Sequence, residues 1–522
     1  MIKRKEKIFL FLFLVVTTAF LTVVCYYSGF RYVGDTAIFA QVTKNIAYTG
    51  KADSNIFANT QDFIDRAIAN IPVEERLKSE ASFTPPLQQS RNMLRFHSYF
   101  ILYLFAPLCY VMPEFMCITI LQSFALAASL LFCILIMRDK GVPYPLVIVT
   151  CILLTAHPGW GIPAVNGAFY PDRLFMGTGM YLTWTCERER FSKAHFIVAI
   201  ILCMLVGERG ALYAGMFVLA HTIFYWKENR EFRRFRLVFG SAAVVYAGIV
   251  MKFFLSNIYY SGLGGSLGNF ISYVQNPYNQ KTILLFLLIN CCFLVAAVVE
   301  WKALIIGMAS MIPNLLYNVG GAEKIGWSLH YHVFYFVFLM WAVTKGITKC
   351  YKMASQRRAM KVVPYLVALI TAIMVSVIAP ADLNISLNIL NLKNNFVVNS
   401  VREIYYDYFA GLAELRRSFG DFIDENIPSG AKVSTIEGAM CELSHADNIY
   451  LFPMGISDAD YAVVSYVNTE EGYYFGGAVV YAGTDDLKVF DKGVVEKMKD
   501  YGYDLDTPIL FPSYGVAILK RK

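Results

Sequence analysis

The sequence predicts an α-helical, multi-pass membrane protein that continues into a small α/β domain at its C-terminal end. Hydrophobic residues make up 57% of the 522 residues and charged residues only 16%, a composition that excludes an ordinary soluble domain. About eleven apolar segments precede residue 380, and each approaches the ~20 residues that cross ~30 Å of hydrocarbon. From residue 381 onward the chain becomes polar and acidic.

These eleven segments are predicted to be membrane-spanning helices. The first is too long for the core of a signal peptide, so it is expected to remain as an anchor. The segments lie at approximately 8–28, 115–137, 142–157, 173–186, 194–207, 210–226, 236–256, 282–299, 302–318, 328–344 and 362–380.

A further apolar segment, "SYFILYLFAPLCYVM" (98–112), is predicted to lie in the outer interface of the membrane. Counting it as a span would move the next basic clusters to the opposite side. With eleven spans, all six basic clusters, which hold 21 Lys and Arg, fall on one side. Because short cytoplasmic loops are enriched in these residues, we expect a cytoplasmic N-terminus and an extracytoplasmic C-terminal domain.

The chain is expected to divide into a membrane domain, residues 1–384, with a large first outer loop (29–114), and an α/β domain, residues 385–522. In the second domain "AKVSTI", "NIYLF" and "YAVVSYV" predict strands, "VREIYYDYFAGLAELRRSFGDFIDENIP" contains a helix, and "PILFPSYGVAILKR" predicts a hairpin. This alternation favours a domain that folds by itself, and no catalytic group is expected in it.

Charge separates the two parts of the chain. Residues 381–522 carry −9 and the whole chain carries +7, so the membrane part carries +16. This positive charge belongs to cytoplasmic loops beside anionic lipid headgroups, and no nucleic-acid partner is expected.

Ionisable side chains collect at the outer ends of the predicted spans. Such groups are costly at membrane depth and usually face a cavity or a partner. The alternative for any one of them is a helix-end charge that meets lipid headgroups, and His157 in "TAHPGWG" is expected to be structural. The candidate site residues are Asp35, Arg91, Arg95, His97, Asp172, Arg173, Glu208, Arg209, His330 and His332.

This layout resembles the GT-C class of membrane glycosyltransferases, which have a large first outer loop with an acidic residue near its start. The stretches "GDTAIFAQVTKNIAYTGK", "NGAFYPDRLF", "GERGALYAG", "HYHVFYF" and "IPSGAKVSTIEGAMCELSHADNIYLFP" together are similar to an uncharacterised bacterial family of multi-pass membrane proteins grouped with that class. The resemblance covers most of the chain, and it implies a bacterial plasma membrane as the location.

The resemblance implies a reaction and assigns roles to the candidate residues. Asp35 and Asp172 would be the catalytic carboxylates, with Asp35 as the general base that takes the proton of an acceptor hydroxyl. Arginines such as Arg91, Arg95, Arg173 and Arg209 would stabilise a lipid-linked phosphate leaving group. The binding set would also include His97, Glu208, His330 and His332.

The partners implied are a polyprenyl-phosphate-linked sugar donor and the membrane itself. A divalent metal, Mg²⁺ or Mn²⁺, is left open because Asp35 lacks an adjacent acidic residue. The sugar, the acceptor and the oligomeric state are not specified by the sequence. Two alternatives are a transporter or flippase of a lipid-linked intermediate and a non-catalytic membrane scaffold. A transporter would contain paired broken helices in an inverted repeat, whereas a scaffold would not gather its outer charges at one place.

Overall fold

The computed structural model of the chain is mostly helical and ends in a mixed β-sheet. It describes residues 4–28, 34–65, 80, 83–86, 88, 90–165, 168–228, 230–255, 275, 277–316, 330–357, 360–378, 411–443, 446, 448–469, 472–476 and 497–522. The predicted domain boundary at residue 384 lies outside these residues.

Each of the eleven predicted apolar segments coincides with a helix, and further helices lie in the first outer loop and in the C-terminal part. The helices are α1 Arg4–Ser28, α2 Gly34–Thr49, α3 Asn55–Asp65, α4 Ile101–Phe105, α5 Glu114–Asp139, α6 Tyr144–Thr155, α7 Pro158–Val165, α8 Phe175–Glu187, α9 Lys193–Val206, α10 Glu208–Phe224, α11 Arg233–Ile249, α12 Pro277–Leu294, α13 Trp301–Leu316, α14 Val333–Ser355, α15 Val363–Ile378 and α16 Leu412–Asn426.

Fewer of these helices meet the requirements for crossing a membrane than the sequence predicts. In the described ranges four are long and apolar enough, and a bent pair formed by α6 and α7 adds a fifth. The four are Arg4–Tyr26, Glu114–Asp139, Arg233–Phe254 and Val333–Ser355. A shorter helix such as α9, with 14 residues, rises only about 21 Å, which is less than the hydrocarbon thickness. The count of eleven spans is therefore not established by length and composition.

Helix α14 lies at the centre of the helical bundle. Every residue from Val333 to Thr344 is buried, as expected for a helix that is apolar on all sides. By contrast, α1 exposes Phe9, Phe11 and Val16, so it lies at the periphery, where apolar side chains meet lipid. Small residues allow the helices to pack closely. If Gly177 of α8 carried a side chain, its Cβ atom would lie only 3.0 Å from Cα of Ala125 in α5.

The bent pair of α6 and α7 turns by 75° at His157. Nδ1 of His157 accepts a hydrogen bond from the backbone N–H of Gly159 at 3.0 Å, and its ring stacks on Phe336 at 4.6 Å. These contacts support the structural role predicted for this histidine.

The segment predicted to lie in the interface does not form a membrane-spanning helix. It consists of α4 and a following 3₁₀ turn, Ala106–Tyr110, which together reach about 15 Å at the α-helical rise. Leu104, Tyr110 and Val111 are exposed, while the hydroxyl of Tyr48 in α2 donates to the carbonyl of Cys109 at 3.3 Å. The segment therefore packs against α2 and presents apolar side chains outward.

The C-terminal part forms a six-stranded sheet in the order β4-β3-β5-β8-β7, with β6 also paired to β5. Strand β3 is parallel to both β4 and β5, and the remaining pairs are antiparallel. These strands and α16 confirm the three predicted strands, the predicted helix and the terminal hairpin. The strands are β3 Lys432–Thr435, β4 Asn448–Leu451, β5 Tyr461–Thr469, β6 Gly472–Gly476, β7 Ile509–Phe511 and β8 Val516–Lys520, while β1 Asp53–Ser54 and β2 Arg91–Asn92 form a separate small ladder.

The C-terminal sheet domain is not self-contained, because the first outer loop supplies part of its core. Phe83 is fully buried in a cluster with Phe452, Ile456 and Val464. Its carbonyl accepts hydrogen bonds from the N–H and the hydroxyl of Ser457, at 3.3 and 3.2 Å. A fragment limited to the predicted domain, residues 385–522, would therefore lack Phe83, a core residue that is distant in sequence.

Helix α3 of the same loop extends this contact. The side-chain amide of Asn59 donates to the carbonyl of Ile449 in β4 at 3.0 Å, and the amide of Asn55 donates to Asn448 Oδ1 at 3.3 Å. The loop and the sheet domain are thus joined both through a core and through hydrogen bonds from side-chain amides.

Replacing Phe83 with alanine should destabilise the sheet domain by about 3–5 kcal/mol, since a buried aromatic ring would leave a cavity. Hydrogen exchange of the full-length protein should show about 100-fold or faster exchange in β4 and β5. The partly exposed Ile509 is the control, because its alanine variant removes apolar surface without a cavity. Equal protection in the Phe83→Ala protein would contradict this contribution to the core.

Candidate functional site

Asp35 lies in the first turn of α2, at the start of the first outer loop. The next residues are buried, and Phe39 packs edge-on against Tyr99 at 5.6 Å and Phe169 at 6.0 Å. The hydroxyl oxygen of Thr36 accepts a hydrogen bond from the N–H of Phe169 at 2.8 Å. These contacts hold α2 against the segment before Asp172. Asp35 itself is exposed. The protein around its carboxyl reduces the hydration of the charged form, which raises the pKa above the ordinary value, and the smaller effect of nearby His97 lowers it.

Asp172 lies in the 3₁₀ turn Pro171–Leu174, directly before α8. It is buried, and its Oδ2 lies 3.1 Å from Nε2 of His330. Burial raises the pKa of the Asp172 carboxyl to about 6, although the charges of Arg209 and His97 favour ionisation. The carboxyl is therefore ionised at neutral pH, and it lies beside the His330 imidazole, although Oδ2 and Nε2 do not have the geometry of a hydrogen bond.

Aromatic rings enclose this pair of side chains. The ring of His330 stacks on Tyr170 at 4.3 Å and lies 4.1 Å from that of Tyr331. The guanidinium of Arg209 lies over Tyr331 at 4.7 Å, a cation–π contact. Tyr331 lies within electrostatic range of both Asp172 and Asp35, the two carboxylates predicted to be catalytic.

The second pair of predicted residues, His97 and Glu208, is also in contact. Nδ1 of His97 lies 2.9 Å from Oε1 of Glu208, and Oε2 accepts from the N–H and the hydroxyl of Ser98 at 3.1 and 3.0 Å. Glu208 is the first residue of α10, where the helix dipole favours a negative charge. This buried contact attaches the first outer loop to α10.

Other predicted residues have different surroundings. Arg173 is completely buried and donates to the Ala168 carbonyl and, at 3.5 Å, to Gln122 Oε1, so it holds the turn rather than facing solvent. Nε2 of His332 lies 3.0 Å from the carbonyl of Gly159. Arg91 pairs with Ser54 in the β1–β2 ladder, and Arg95 is exposed at the end of a 3₁₀ turn. Ion-pair distances and electrostatic interactions relate the remaining residues to one another, so the cluster contains Asp35, His97, Asp172, Glu208, Arg209 and His330.

Glu437 is a residue of this region that sequence reasoning missed. It begins the 3₁₀ turn Glu437–Leu443 after β3, and this turn packs against α2. Burial, and then the charge of Asp35, raise the pKa of Glu437 to about 7. The sequence did contain a signal, because ligand-binding residues of α/β sheets commonly follow the carboxyl ends of parallel strands.

The arrangement offers an accessible carboxylate beside a second acid, with one arginine and two histidines nearby. Such groups can accept a proton from a hydroxyl and stabilise an anionic ligand. Within the described part of the chain, no three His, Cys, Asp or Glu side chains are arranged to hold a metal ion. Mg²⁺ held by one or two carboxylates and substrate phosphates needs no such group, and the exposed Asp35 is a carboxylate that fits this use.

The comparisons with known proteins identify a family but no activity. No curated protein matches the chain. A family model described as "Predicted membrane protein (DUF2079)" matches residues 70–469. The match extends from the first outer loop to the end of β5 and includes Asp172, Glu208, His330 and Glu437, whereas Asp35 precedes it. Since it covers most of the chain, the protein belongs to the DUF2079 family of predicted membrane proteins.

Proposed function

We propose that the protein is a GT-C-type glycosyltransferase that moves a sugar from a polyprenyl-phosphate-linked donor to an acceptor in the cell envelope. The reaction would occur on the outer face of a bacterial plasma membrane, with eleven spans and an extracytoplasmic sheet domain. The proposal rests on the resemblance of the layout and on the chemistry of the outer cluster. The family description alone would permit other activities.

One observation carries the proposal: Asp35 is an exposed carboxylate that interacts electrostatically with the buried His97, which is itself paired with Glu208 on a separate element. Buried charges that only stabilise a fold need no accessible acid among them. A general base, by contrast, must reach the proton that it removes, within about 3 Å or through one water. Asp35 meets that requirement because it is exposed and lies on α2, a helix held in place by its contacts with neighbouring segments.

The reaction would use these groups in a simple order. The acceptor hydroxyl gives its proton to Asp35, its oxygen bonds to the anomeric carbon, and the bond from that carbon to the phosphate oxygen breaks. The electron pair remains on the phosphate, whose growing charge would be stabilised by Arg209. The imidazole of His330 lies beside Asp172, Tyr170 and Tyr331, and the two tyrosine rings would form an aromatic surface suited to a sugar ring.

The alternatives have less support. A transporter built on inverted repeats is expected to carry its broken helices in pairs, and the described residues contain one bent pair, α6 with α7. A scaffold would not need the convergence of charges from the first outer loop, the Pro171–Leu174 turn and α10.

The proposed orientation can be tested by cysteine labelling. In a variant lacking the eleven native cysteines, a membrane-impermeant thiol reagent added to intact cells should modify cysteines at the exposed positions Lys51 and Lys499. Cysteines at Arg234 and Gln356, also exposed, should react only after the membrane is permeabilised. Labelling of Arg234→Cys in intact cells would contradict the eleven-span orientation.

Replacing Asp35 with asparagine should abolish transfer, with a loss of about 10²–10⁴-fold in rate, because the side chain keeps its size and loses its basicity. An envelope glycan or glycolipid that is missing from a deletion strain should also be missing when only this variant is expressed. Asp500→Asn, an exposed change in the sheet domain, is the matched control and should restore it. The alternative role of Asp35 is a cap for α2, which asparagine fills about as well, so full complementation would exclude the catalytic role.

A further inference from the structure

Two cysteine side chains meet where the interfacial segment joins α5. Cys109 lies in the 3₁₀ turn Ala106–Tyr110, and Cys117 lies in the first turn of α5. Both carry free thiols, and the two thiols are hydrogen-bonded to each other. Sγ of Cys117 also lies 3.7 Å from the carbonyl oxygen of Phe105, the residue that precedes the turn. The Cys117 side chain therefore points from the helix toward the turn.

Burial holds this pair of side chains in contact. Cys117 is completely buried, and Cys109 has an exposed fraction of 7%. A disulfide bond needs two cysteines whose sulfur atoms already face each other, because diverging side chains cannot be bridged without movement of the backbone. The contact between Cys109 and Cys117 meets that condition.

The proposed orientation puts both sulfur atoms on the outer side of the membrane. In that orientation α5 begins at the outer interface with Glu114 in its first turn, and the 3₁₀ turn lies at the same interface. Disulfides form and persist on the outer side of a bacterial plasma membrane, whereas the cytoplasm keeps thiols reduced. The two thiols are therefore placed where oxidation is favoured.

We propose that Cys109 and Cys117 form a disulfide bond in the folded protein, which fastens the interfacial segment to the outer end of α5. The inference rests on the orientation given with the proposed function, since the thiols must lie on the oxidising side. It does not depend on the transfer of a sugar. The bond converts a contact between two side chains into a covalent link.

This link also bears on α2, the helix that carries Asp35. The hydroxyl of Tyr48 in α2 donates to the carbonyl of Cys109 at 3.3 Å, and the hydroxyl of Tyr110 donates to the carbonyl of Ala47. The rings of Tyr48 and Tyr110 pack edge-on at 5.2 Å. Fastening the turn to α5 therefore restrains the C-terminal end of α2 as well.

The bond requires an oxidant, and the class that we assign is the disulfide of a thiol oxidoreductase on the outer side. The Cys109 thiolate attacks one sulfur of that disulfide, whose S–S bond breaks and releases the other sulfur as a thiolate. The Cys117 thiolate then attacks the Cys109 sulfur of the mixed disulfide, and the second oxidant sulfur leaves with the electron pair. The released thiolates take up the two protons lost by the cysteines, so the oxidant gains two electrons and two protons.

Cys109 is the cysteine that reacts first. It is the more exposed of the two, and only Cys109 has to meet the oxidant, because Cys117 attacks from within the protein. The hydrogen bond with Cys117 lowers the pKa of the Cys109 thiol below its ordinary value; the charge of Lys44 acts in the same direction, while burial and Glu114 oppose it. Since the thiolate is the nucleophile in disulfide exchange, this contact assists the first step.

The test maps the oxidation of cysteines in the wild-type protein. Cells are quenched with acid to trap the thiols, the protein is alkylated in denaturant, and its peptides are identified by mass spectrometry without reduction. The peptide that contains Cys109 and Cys117 should carry no alkyl group and should be lighter than the dithiol by two hydrogen atoms. Cys133 of α5 and Cys151 of α6 also interact with each other, but they lie within the membrane, so as the matched control both should be alkylated.

Cys117→Ser checks the pairing. Because Cys109 then has no partner, it should be alkylated in the same experiment. The readout is taken in denaturant, so it does not require this variant to be stable. A Cys109 that stays unreactive in the Cys117→Ser protein is bonded elsewhere, which would overturn the pairing.

Hydrogen exchange tests the restraint that the bond imposes. After a reductant has opened the bond, as checked by mass spectrometry, backbone exchange in residues 106–112 should become about tenfold faster. The double variant Cys109→Ser/Cys117→Ser should not respond to the reductant. Unchanged exchange in the reduced wild type would exclude the restraint on the segment.

The outcomes separate the inference from the proposed function. Free thiols at Cys109 and Cys117, in a protein whose exposed position Lys51 is labelled from outside as cysteine, would overturn the disulfide and leave the orientation intact. Free thiols without such labelling would overturn the orientation and the inference together. A bond between Cys133 and Cys151 as well would indicate oxidation during preparation and would overturn the assignment.

Discussion

The cluster around Asp35 depends on one buried carboxylate, Glu208, which must be paired because an isolated charge is very unfavourable away from water. Its partners, His97 and Ser98, belong to the first outer loop, so satisfying Glu208 brings that loop onto the start of α10. The same residues carry Tyr99 against Phe39 of α2, and α2 in turn presents Asp35. The position of the accessible acid therefore follows from the hydrogen bonds of an inaccessible one.

A second buried carboxylate fixes the other end of α10. Glu187, the last residue of α8, accepts hydrogen bonds from Trp341 and Lys345 of α14 at 3.0 and 2.7 Å and lies 3.1 Å from Nε2 of His221 in α10. Three helices meet at this carboxylate, in the half of the bundle opposite to Glu208 along α10. Helix α10 is thus held at both ends by charged contacts, and removing one partner from such a group is far more costly than the net stabilisation that the pair provides. The outer cluster is supported by a rigid helix as a result.

The sequence predicts some levels of this structure better than others. Apolar runs locate the helices well, because burial in a bundle or in lipid requires the same side chains. Hydropathy alone did not show that α14 is enclosed by protein while α1 is not.

Helix-end charges such as Asp172, Glu208 and His330 were predicted to share a site because they were predicted to lie on the same side of the membrane. Their partners were not, because the contacts of Glu208 with Ser98 and of Asp172 with His330 join residues far apart in sequence. Arg173 looked equivalent to Arg209 as a cation, and both lie over aromatic rings, yet Arg173 is completely buried and donates to the Ala168 carbonyl, whereas Arg209 is half-buried. Glu437 was not among the predicted site residues, because its domain was expected to fold by itself and to carry no catalytic group.

The insertion of Phe83 into the sheet domain also bears on how the chain is made. The loop that contains Phe83 is synthesised early, whereas Ile456, Val464 and Leu519, which surround it, are among the last residues to appear. Contacts of such high sequence separation form slowly, because a long segment must close before they stabilise anything. During that interval the apolar surface of the loop is uncovered and is a target for chaperones and proteases. A chain that stops before the sheet domain would leave Phe83 without the side chains that bury it, so its apolar surface would stay uncovered.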